Sequence, residues 1–214
     1  MRLVLPRLYV ILDAAMLTEP AGTTAQKLMN AGVKLLQYRA KNATARELWA
    51  ESRAIGEAAR RAKCKFIVND RSDVAYLAAA DGVHVGQDDL DPEQARKMIG
   101  PERWVGVSTH NLEQFRKAAA TSADYIAVGP IFQTSSKANP DPVVGTELLR
   151  RVRALTEKPI VAIGGITLER AADVLTAGAD SVAVISDILK AKDPAATARE
   201  FIRRLDAVKP AASH

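Results

Sequence analysis

The sequence contains few cysteines and histidines and no long apolar run. Its single cysteine, Cys64, excludes an internal disulfide, and one cysteine with three histidines cannot supply an ordinary structural zinc site. Apolar runs such as Val74 to Ala80 fall well short of the roughly 18 residues that a membrane-spanning helix needs. Met1 to Leu12 lacks the small-residue cleavage pattern of a secretory signal. We therefore expect a cytoplasmic protein with no membrane segment, in which any bound metal rests on oxygen ligands.

The charge balance is mildly basic. The 214 residues include 30 Lys and Arg against 25 Asp and Glu, a formal net charge of +5. A positive surplus suits an enzyme that handles phosphorylated small molecules, because a positive field raises the local concentration of anions. Nucleic-acid-binding proteins cluster their basic residues on one face, whereas here these residues are spread along the whole chain. We expect small anionic substrates, no nucleic-acid partner and, as a further expectation, a homo-oligomer.

Short runs of branched apolar residues recur along the chain, and an alanine-rich amphipathic segment follows each of them. Most runs are apolar at consecutive positions, which is typical of strands buried on both faces of a parallel sheet. There are eight such runs: Leu8 to Leu12, Leu35 to Tyr38, Phe66 to Asn69, Gly82 to Val85, Trp104 to Ser108, Tyr125 to Gly129, Ile160 to Ile163 and Ser181 to Ile185.

The segments between the runs carry residues that begin or end helices. The expected N-terminal caps are Thr44 in a capping box with Glu47, Asp91 and Asp193 each before a proline, and Asn111; the expected C-terminal glycines are Gly32 and Gly178. Strand–helix units that follow one another without a linker in about 200 residues favour an α/β fold, a single (βα)8 TIM barrel. We assign residues 1–209 to this one domain and 210–214 to a loose tail. An open doubly wound sheet is the alternative.

In such a barrel, the residues at the carboxyl ends of the strands carry the chemistry. The second run ends in Gln37, Tyr38, Arg39, Ala40 and Lys41, and the twofold period of a strand places the first, third and fifth of these on one side. These three polar side chains would then face the barrel interior. The alternative is a strand end that runs into solvent, where Lys and Arg usually lie.

Carboxylates follow the third and fourth runs. Asn69, Asp70 and Arg71 come directly after one strand, and Asp88 and Asp89 follow the next. Two acids from neighbouring strands suit Mg²⁺, which binds through one or two carboxylates and shares its other positions with water and substrate phosphates. Asn and Asp also begin turns, so the alternative makes Asp88 and Asp89 ordinary loop charges.

The later connections indicate phosphate binding and a mobile cover. Pro130 to Val144 is long for a connection in an ordered domain, and we expect it to be mobile and to close over substrates. Gly164 and Gly165 follow the seventh run, and Ser186 follows the eighth, where this class of barrel often holds a phosphate on backbone N–H groups. Glycine there would allow the phosphate to approach the backbone closely. The alternative is a plain tight turn.

Two histidines and one serine lie near the same strand ends. Ser108 ends the fifth run, where its hydroxyl either reaches a ligand or caps the turn. His84 lies between two valines, and we interpret it as an inward strand residue that holds its neighbours rather than as a catalytic base. His110 either lines the site or begins the next helix.

Together these motifs resemble the thiamine-phosphate synthase family over nearly the whole chain. They are Leu8-Tyr9-Val10-Ile11; Gln37, Arg39 and Lys41; Asn69-Asp70-Arg71; Asp81-Gly82-Val83-His84 and Gly86-Gln87 with Asp89; Gly106-Val107-Ser108; Gly129 to Phe132 with Thr134 to Lys137; and Gly164-Gly165-Ile166. Each motif is common alone, but their order and their barrel positions are specific. The resemblance implies an enzyme that joins a hydroxymethylpyrimidine diphosphate to a thiazole phosphate with Mg²⁺ and releases pyrophosphate.

The resemblance also implies roles for individual residues. The pyrimidine diphosphate would contact Gln37, Tyr38, Arg39, Ala40, Lys41, Asn69, Ser108 and Lys137; the thiazole phosphate would contact Thr134, Ser135, Ser136, Gly165, Ile185 and Ser186; Asp70 and Asp89 would coordinate Mg²⁺. Arg39, Lys41, Ser108 and Lys137 are the expected catalytic residues, because the reaction mainly requires that the leaving diphosphate be neutralised. Ser136 stands where the family often has threonine, and Ala40 and Asn42 replace frequent acidic residues, but we expect activity to persist.

Two alternatives share the barrel. A thiazole tautomerase binds a thiazole phosphate without a diphosphate partner, and it should not need Arg39, Lys41, Asp70, Asp89 and Lys137 together, all of which are present. A catalytically silent ligand-sensing relative would keep the phosphate-binding glycine and tend to lose the Mg²⁺ acids. Both acids are present, so the synthase is favoured.

Overall fold

The computed structural model describes residues 3–134 and 141–208, which form a closed barrel of parallel strands. The strands are β1 (Leu8–Asp13), β2 (Leu35–Arg39), β3 (Lys65–Asn69), β4 (Gly82–Val85), β5 (Trp104–Thr109), β6 (Tyr125–Val128), β7 (Ile160–Ile163) and β8 (Ser181–Val184). The helices are α1 (Ala21–Asn30), α2 (Ala45–Ala62), α3 (Ser72–Leu77), α4 (Pro92–Ile99), α5 (Leu112–Ala119), α6 (Gly145–Arg153), α7 (Ala171–Thr176), α8 (Ser186–Leu189) and α9 (Pro194–Asp206). A short 3₁₀ helix, Ala14–Met16, follows β1.

Each strand pairs in parallel with the next along the chain, and β8 closes on β1 through pairs such as Tyr9 with Ala183. This closure confirms the (βα)8 barrel and excludes the open doubly wound sheet. Three strands end one residue later than predicted, because Asp13 and Arg39 pair with each other and extend β1 and β2, and Thr109 pairs with Val128 and extends β5. Conversely, β6 stops at Val128, and Pro130 has no N–H with which to continue the ladder.

The predicted helix ends are confirmed. The Thr44 hydroxyl accepts from the Glu47 N–H while the Glu47 carboxylate accepts from the Thr44 N–H, which completes the capping box. Side chains of Asp91, Asn111 and Asp193 accept from N–H groups in the first turns of α4, α5 and α9. These caps depend on neighbouring residues only, which is why the sequence shows them so clearly.

Apolar side chains form two layers, one on each side of the strands. The outer layer fills the space between the barrel and the helices, and the inner layer fills the barrel toward its amino-terminal end. Alternation along β2 places Leu35 in the inner layer, while Leu36 and Tyr38 belong to the outer one. The remaining inward positions of β2 are therefore Gln37 and Arg39, at its carboxyl end.

The remaining expectations concern membrane helices, the single cysteine and the tail. No helix in residues 3–134 and 141–208 is long and apolar enough to cross a membrane. Cys64 is buried between α2 and β3, at the amino-terminal end of the barrel and away from the strand ends that the sequence indicated. Residues 210–214, predicted as a loose tail, lie outside the described residues.

Candidate active site

A cavity opens at the carboxyl ends of the strands, with a volume of about 950 Å³ including its open mouth. Cavities of this size hold small-molecule substrates, and in a barrel enzyme they occur at this end. Of the predicted substrate-binding residues, those lining the cavity are Gln37, Arg39, Asn69, Ser108, Thr134, Gly165, Ile185 and Ser186. The ends of β2, β3, β5, β7 and β8 thus contribute to one site.

Other predicted residues lie elsewhere. Tyr38 is buried in the outer apolar layer, and Ala40 packs against the same layer. Their side chains therefore face the helices, and only their backbone groups remain for a substrate, because successive side chains of a strand point to opposite faces. The predicted loop closure and the positions of Ser135, Ser136 and Lys137 lie outside the described residues.

Lys41, Asp70 and Asp89 meet beside the cavity rather than in its wall. The Lys41 ammonium donates to the Asp70 carboxylate. Asp89 Oδ2 accepts from the Gly86 N–H at 2.8 Å. Burial raises the pKa of Asp89, and a hydrogen bond between the Asp89 and Asp70 carboxyl groups raises it further. Two carboxyl groups this close favour a cation between them, because like charges at short distance disfavour ionisation of both.

The backbone holds Asp70 in an uncommon conformation. Its φ of 63° lies in the left-handed region, which Asp tolerates better than most residues. The Asp70 N–H donates to the His84 carbonyl of the adjacent strand at 2.7 Å, which fixes this turn. Strained positions of this kind cluster at functional sites. The Asp70 carboxyl group is thus turned toward Asp89 in the loop that follows β4.

The two carboxylates suit Mg²⁺ better than they suit a metal ion whose ligands all come from the protein. In residues 3–134 and 141–208, no group of three or more His, Cys, Asp and Glu side chains is arranged to hold a metal. Mg²⁺ commonly takes one or two carboxylates and completes its shell with water and substrate phosphates. Asp70 and Asp89 fit that pattern, whereas Asp88 is exposed on the neighbouring loop.

Asp13 is a site residue that the sequence reasoning missed. It is only 2% exposed, and its carboxylate accepts from the Arg39 guanidinium and, at 3.1 Å, from the Ala15 N–H. A signal was present, since Asp13 directly follows the apolar run of β1 and so occupies the carboxyl end of a strand. The pair holds Arg39 against the cavity.

A chain of hydrogen bonds crosses the barrel at the floor of the cavity, and the sequence reasoning also missed its members Tyr9 and Tyr125. The Gln37 amide donates to the Tyr9 hydroxyl at 2.7 Å, and the two tyrosine oxygens lie 3.1 Å apart. His84 Nδ1 lies 3.1 Å from the Tyr125 oxygen, and its Nε2 lies 2.8 Å from Ser108 Oγ. His84 is 7% exposed and holds its neighbours, as predicted. Burial raises the pKa of both tyrosines, so their hydroxyls stay protonated.

His110 lines the cavity, which resolves the two predicted alternatives. Its Nδ1 lies 2.6 Å from the Gly129 carbonyl oxygen, and its Nε2 lies 3.5 Å from the Asp141 carboxylate. Asp141 also lines the cavity, and sequence reasoning did not single it out. Its position within the long connection gives no periodic signal.

Gly164 and Gly165 have a structural role in addition to the predicted phosphate contact. Both have positive φ, 99° and 62°. A Cβ on Gly165 would overlap the Gln133 carbonyl oxygen and lie 2.9 Å from Phe132 Cβ, so the glycine is needed by the chain that follows β6. The close approach of a phosphate to the Gly165 backbone stays a prediction.

Comparison with known proteins shows a consistent likeness. A family model described as thiamine monophosphate synthase matches residues 8–188. The thiamine-phosphate synthase of Koribacter versatilis (strain Ellin345) is 52% identical over 206 residues, which cover 94% of this chain and 96% of that protein. The thiamine-phosphate synthase of Chlorobium phaeovibrioides is 43% identical over 201 residues, 94% of this chain and 95% of its own.

Solved structures show the same likeness. The thiamine phosphate pyrophosphorylase from Pyrococcus furiosus has a TM-score of 0.86 at 33% identity, and the match covers 95% of this chain and 96% of that one. A 3-hexulose-6-phosphate synthase from Salmonella typhimurium reaches a TM-score of 0.70 at 21% identity, covering 95% of this chain and 100% of its own, and shares the fold alone.

Proposed function

Because the chain belongs to the thiamine monophosphate synthase family and is a transferase that forms thiamine phosphate, we propose how its cavity performs this reaction. The substrates are a hydroxymethylpyrimidine diphosphate and a thiazole phosphate, and the products are thiamine phosphate and pyrophosphate. The observation that carries the proposal is the convergence of Arg39, Lys41, Asp70 and Asp89 at one edge of the cavity.

The diphosphate binds at this edge. Arg39 presents its guanidinium at the cavity wall, and Lys41 lies beside it at the end of the same strand. Both are hydrogen-bond donors that carry positive charge, the groups that stabilise a departing diphosphate. Asn69 lines the adjacent wall, where its amide can pair with the edge of the aminopyrimidine.

Asp70 and Asp89 hold the Mg²⁺ that accompanies the diphosphate. When bound, the ion neutralises the negative charge that develops on the leaving group. Lys41 forms an ion pair with Asp70. With Mg²⁺ bound to Asp70, the Lys41 ammonium would be available to the phosphate oxygens. We infer weak metal binding in the free protein, because only two carboxyl groups contribute and substrate oxygens complete the shell.

The bond changes require no protein nucleophile. The carbon–oxygen bond to the diphosphate breaks and the pyrophosphate takes the electron pair, leaving a cation that the aminopyrimidine ring delocalises. The thiazole nitrogen then donates its lone pair to form the new carbon–nitrogen bond. The cavity positions the two rings for this step, and apolar side chains such as Ile163 and Ile185 keep water from the cation.

The thiazole phosphate binds at the opposite edge, on backbone N–H groups at Gly165 and Ser186. Both residues line the cavity, at the ends of β7 and β8. Thr134 lies in the same wall and can contribute its hydroxyl. We expect Ser135 and Ser136 to do the same and Lys137 to reach the diphosphate, but these three lie outside the described residues.

An Mg²⁺ titration tests the proposal. We would measure thiamine phosphate formation from the two purified substrates after EDTA treatment, as Mg²⁺ is restored. Asp70→Asn and Asp89→Asn should each raise the Mg²⁺ concentration needed for half-maximal rate by roughly 10-fold or more, since loss of even an outer partner of a metal ligand typically costs about 10- to 100-fold in metal affinity. Asp88→Asn is the matched control, because this carboxylate is exposed on the same loop.

The titration distinguishes an error in the metal assignment from an error in the substrates. Full activity in EDTA, or equal titrations for Asp88→Asn and Asp89→Asn, would contradict the metal assignment. Absence of thiamine phosphate at any Mg²⁺ concentration would contradict the substrates. The cytoplasmic location and the homo-oligomer stay predictions, because nothing in the described chain tests them.

A further inference from the structure

The hydrogen-bonded chain at the floor of the cavity runs from Gln37 through Tyr9, Tyr125 and His84 to Ser108, and every member but Tyr125 lines the cavity. Gln37 determines which group donates and which accepts in each of the later hydrogen bonds. The Gln37 amino group donates to the Tyr9 oxygen, so the Tyr9 hydroxyl hydrogen is free to point toward Tyr125. In the reverse direction the Tyr9 oxygen would accept twice and its own hydrogen would lack an acceptor, which is costly at 1% exposure.

The donors and acceptors of the remaining hydrogen bonds follow from this first one. A Tyr125 hydroxyl that accepts from Tyr9 donates to His84 Nδ1, 3.1 Å away. A neutral imidazole that accepts at Nδ1 carries its hydrogen on Nε2, and that hydrogen is donated to Ser108 Oγ at 2.8 Å. Because Ser108 accepts from His84, its own hydroxyl hydrogen points to another acceptor, and Ser108 lines the cavity.

Packing holds this chain in place. The Tyr9 and Tyr125 rings meet edge to face with centroids 6.2 Å apart, and Tyr125 stacks on His84 at 5.5 Å. Gly106 leaves room for this arrangement, because a Cβ there would overlap the Tyr125 ring and its hydroxyl. A glycine inside a strand often marks such a close approach.

We propose that His84 is a positioning residue, which Tyr9 and Tyr125 hold in its Nε2–H form so that Ser108 donates its hydroxyl hydrogen to the departing diphosphate. The proposal rests on the contact with the pyrimidine diphosphate proposed for Ser108. A donor already aligned on the leaving oxygen strengthens as charge develops there, so its loss lowers kcat more than it raises KM. In this role His84 acts through Ser108 and needs no change of protonation.

The first test needs no substrate. In ¹⁵N-histidine-labelled protein, the three histidines give separate ring signals, and the His84→Asn spectrum identifies the signal of His84. We expect one neutral form with the hydrogen on Nε2, and Tyr125→Phe should convert it to a mixture of both neutral forms. A hydrogen on Nδ1 in the unsubstituted protein would overturn the proposed direction.

The second test uses kinetics and a double variant. His84→Asn should lower kcat by roughly 10- to 100-fold with little change in KM, the range for a lost hydrogen bond to a charged group. His84→Gln should retain more activity, because its amide nitrogen reaches the place of Nε2. If His84 acts through Ser108, the variant Ser108→Ala/His84→Asn should be no slower than Ser108→Ala alone.

Thr109→Val provides the matched control. Thr109 follows Ser108 on β5, is 1% exposed, and donates its hydroxyl to the Ala127 carbonyl at 2.9 Å without lining the cavity. This variant removes a buried hydroxyl and should keep kcat unchanged. Equal activity of His84→Asn and Thr109→Val, or multiplicative losses in the double variant, would overturn the proposal. An unsubstituted protein that forms no thiamine phosphate would instead contradict the proposed function. The ¹⁵N signals of the His84 ring would still show the direction of the hydrogen bonds.

Discussion

Substitution of Arg39 by methionine should destabilise the protein and weaken catalysis for two separable reasons. Asp13 is 2% exposed, and the Arg39 guanidinium is the cation paired with it. Removing one partner of a buried pair leaves an uncompensated charge and costs about 3–5 kcal/mol. Because 19% of the Arg39 side chain is exposed, water screens the pair, and we expect the lower end, about 3 kcal/mol.

The double variant separates the two effects. Asp13→Asn alone loses a charge-assisted hydrogen bond, at a cost of about 1.5–3 kcal/mol. Asp13→Asn/Arg39→Met buries no charge, and the asparagine oxygen can still accept from the Ala15 N–H. The double variant should therefore be more stable than Arg39→Met, with a coupling energy of about 1 kcal/mol or more. Its kcat/KM should stay as low as that of Arg39→Met, because the diphosphate has lost the same cation.

Urea unfolding followed by tryptophan fluorescence measures the stability, and initial rates measure kcat/KM. For a chain of this length, 3 kcal/mol corresponds to a fall in Tm of about 6–12 °C. Free-energy losses that add within about 0.5 kcal/mol would refute the reasoning, since independent sites behave in that way. Recovery of kcat/KM in the double variant would show that Arg39 serves the fold alone.

Two further predictions concern residues whose surroundings are equally well defined. Gly165→Ala should lower the free energy of unfolding by more than the roughly 1–2 kcal/mol that a left-handed φ costs, because the added Cβ also overlaps the Gln133 carbonyl oxygen. In thermal unfolding, Gly22→Ala is the matched control and should raise stability by about 0.5–1 kcal/mol, since Gly22 lies in α1 and nothing is within 4 Å of its added Cβ; equal shifts for the two variants would contradict this contrast. Burial raises the pKa of Cys64 to about 12, so a thiol reagent at pH 8 should label the protein only as fast as it unfolds. Rapid labelling of the folded protein would contradict the burial of Cys64.

The barrel and its helix ends could be predicted because their signals are local. Consecutive apolar residues mark strands buried on both faces, and a cap such as Thr44 with Glu47 needs only four neighbouring residues. The twofold period of β2 likewise separates Gln37 from Tyr38, since one faces the cavity and the other the outer apolar layer. The family resemblance implies substrate contacts for both residues. It does not distinguish a side chain that faces the cavity from a residue that offers only its backbone.

The centre of the hydrogen-bonded chain could not be predicted, because Tyr125 lies on a strand that pairs with neither the strand of Tyr9 nor that of His84. Tyr9 is on β1 and Tyr125 on β6, and they meet only across the barrel interior. No spacing along the chain encodes that contact. The one available signal was Gly106, a glycine inside a strand, and it indicates a close approach without naming the residue that approaches.

The glycines after β7 connect two parts of the site. The Phe132 N–H donates to the Gly164 carbonyl at 3.0 Å, and the Ile131 N–H donates to the Ile163 carbonyl at 2.9 Å. The chain that follows β6 is thereby bonded to the strand end that offers the Gly165 N–H. Thr134, two residues beyond Phe132, lines the same cavity. A change at Gly165 therefore displaces this chain as well as the Gly165 N–H, so its effect on the thiazole phosphate binding that we propose there would report both contacts together.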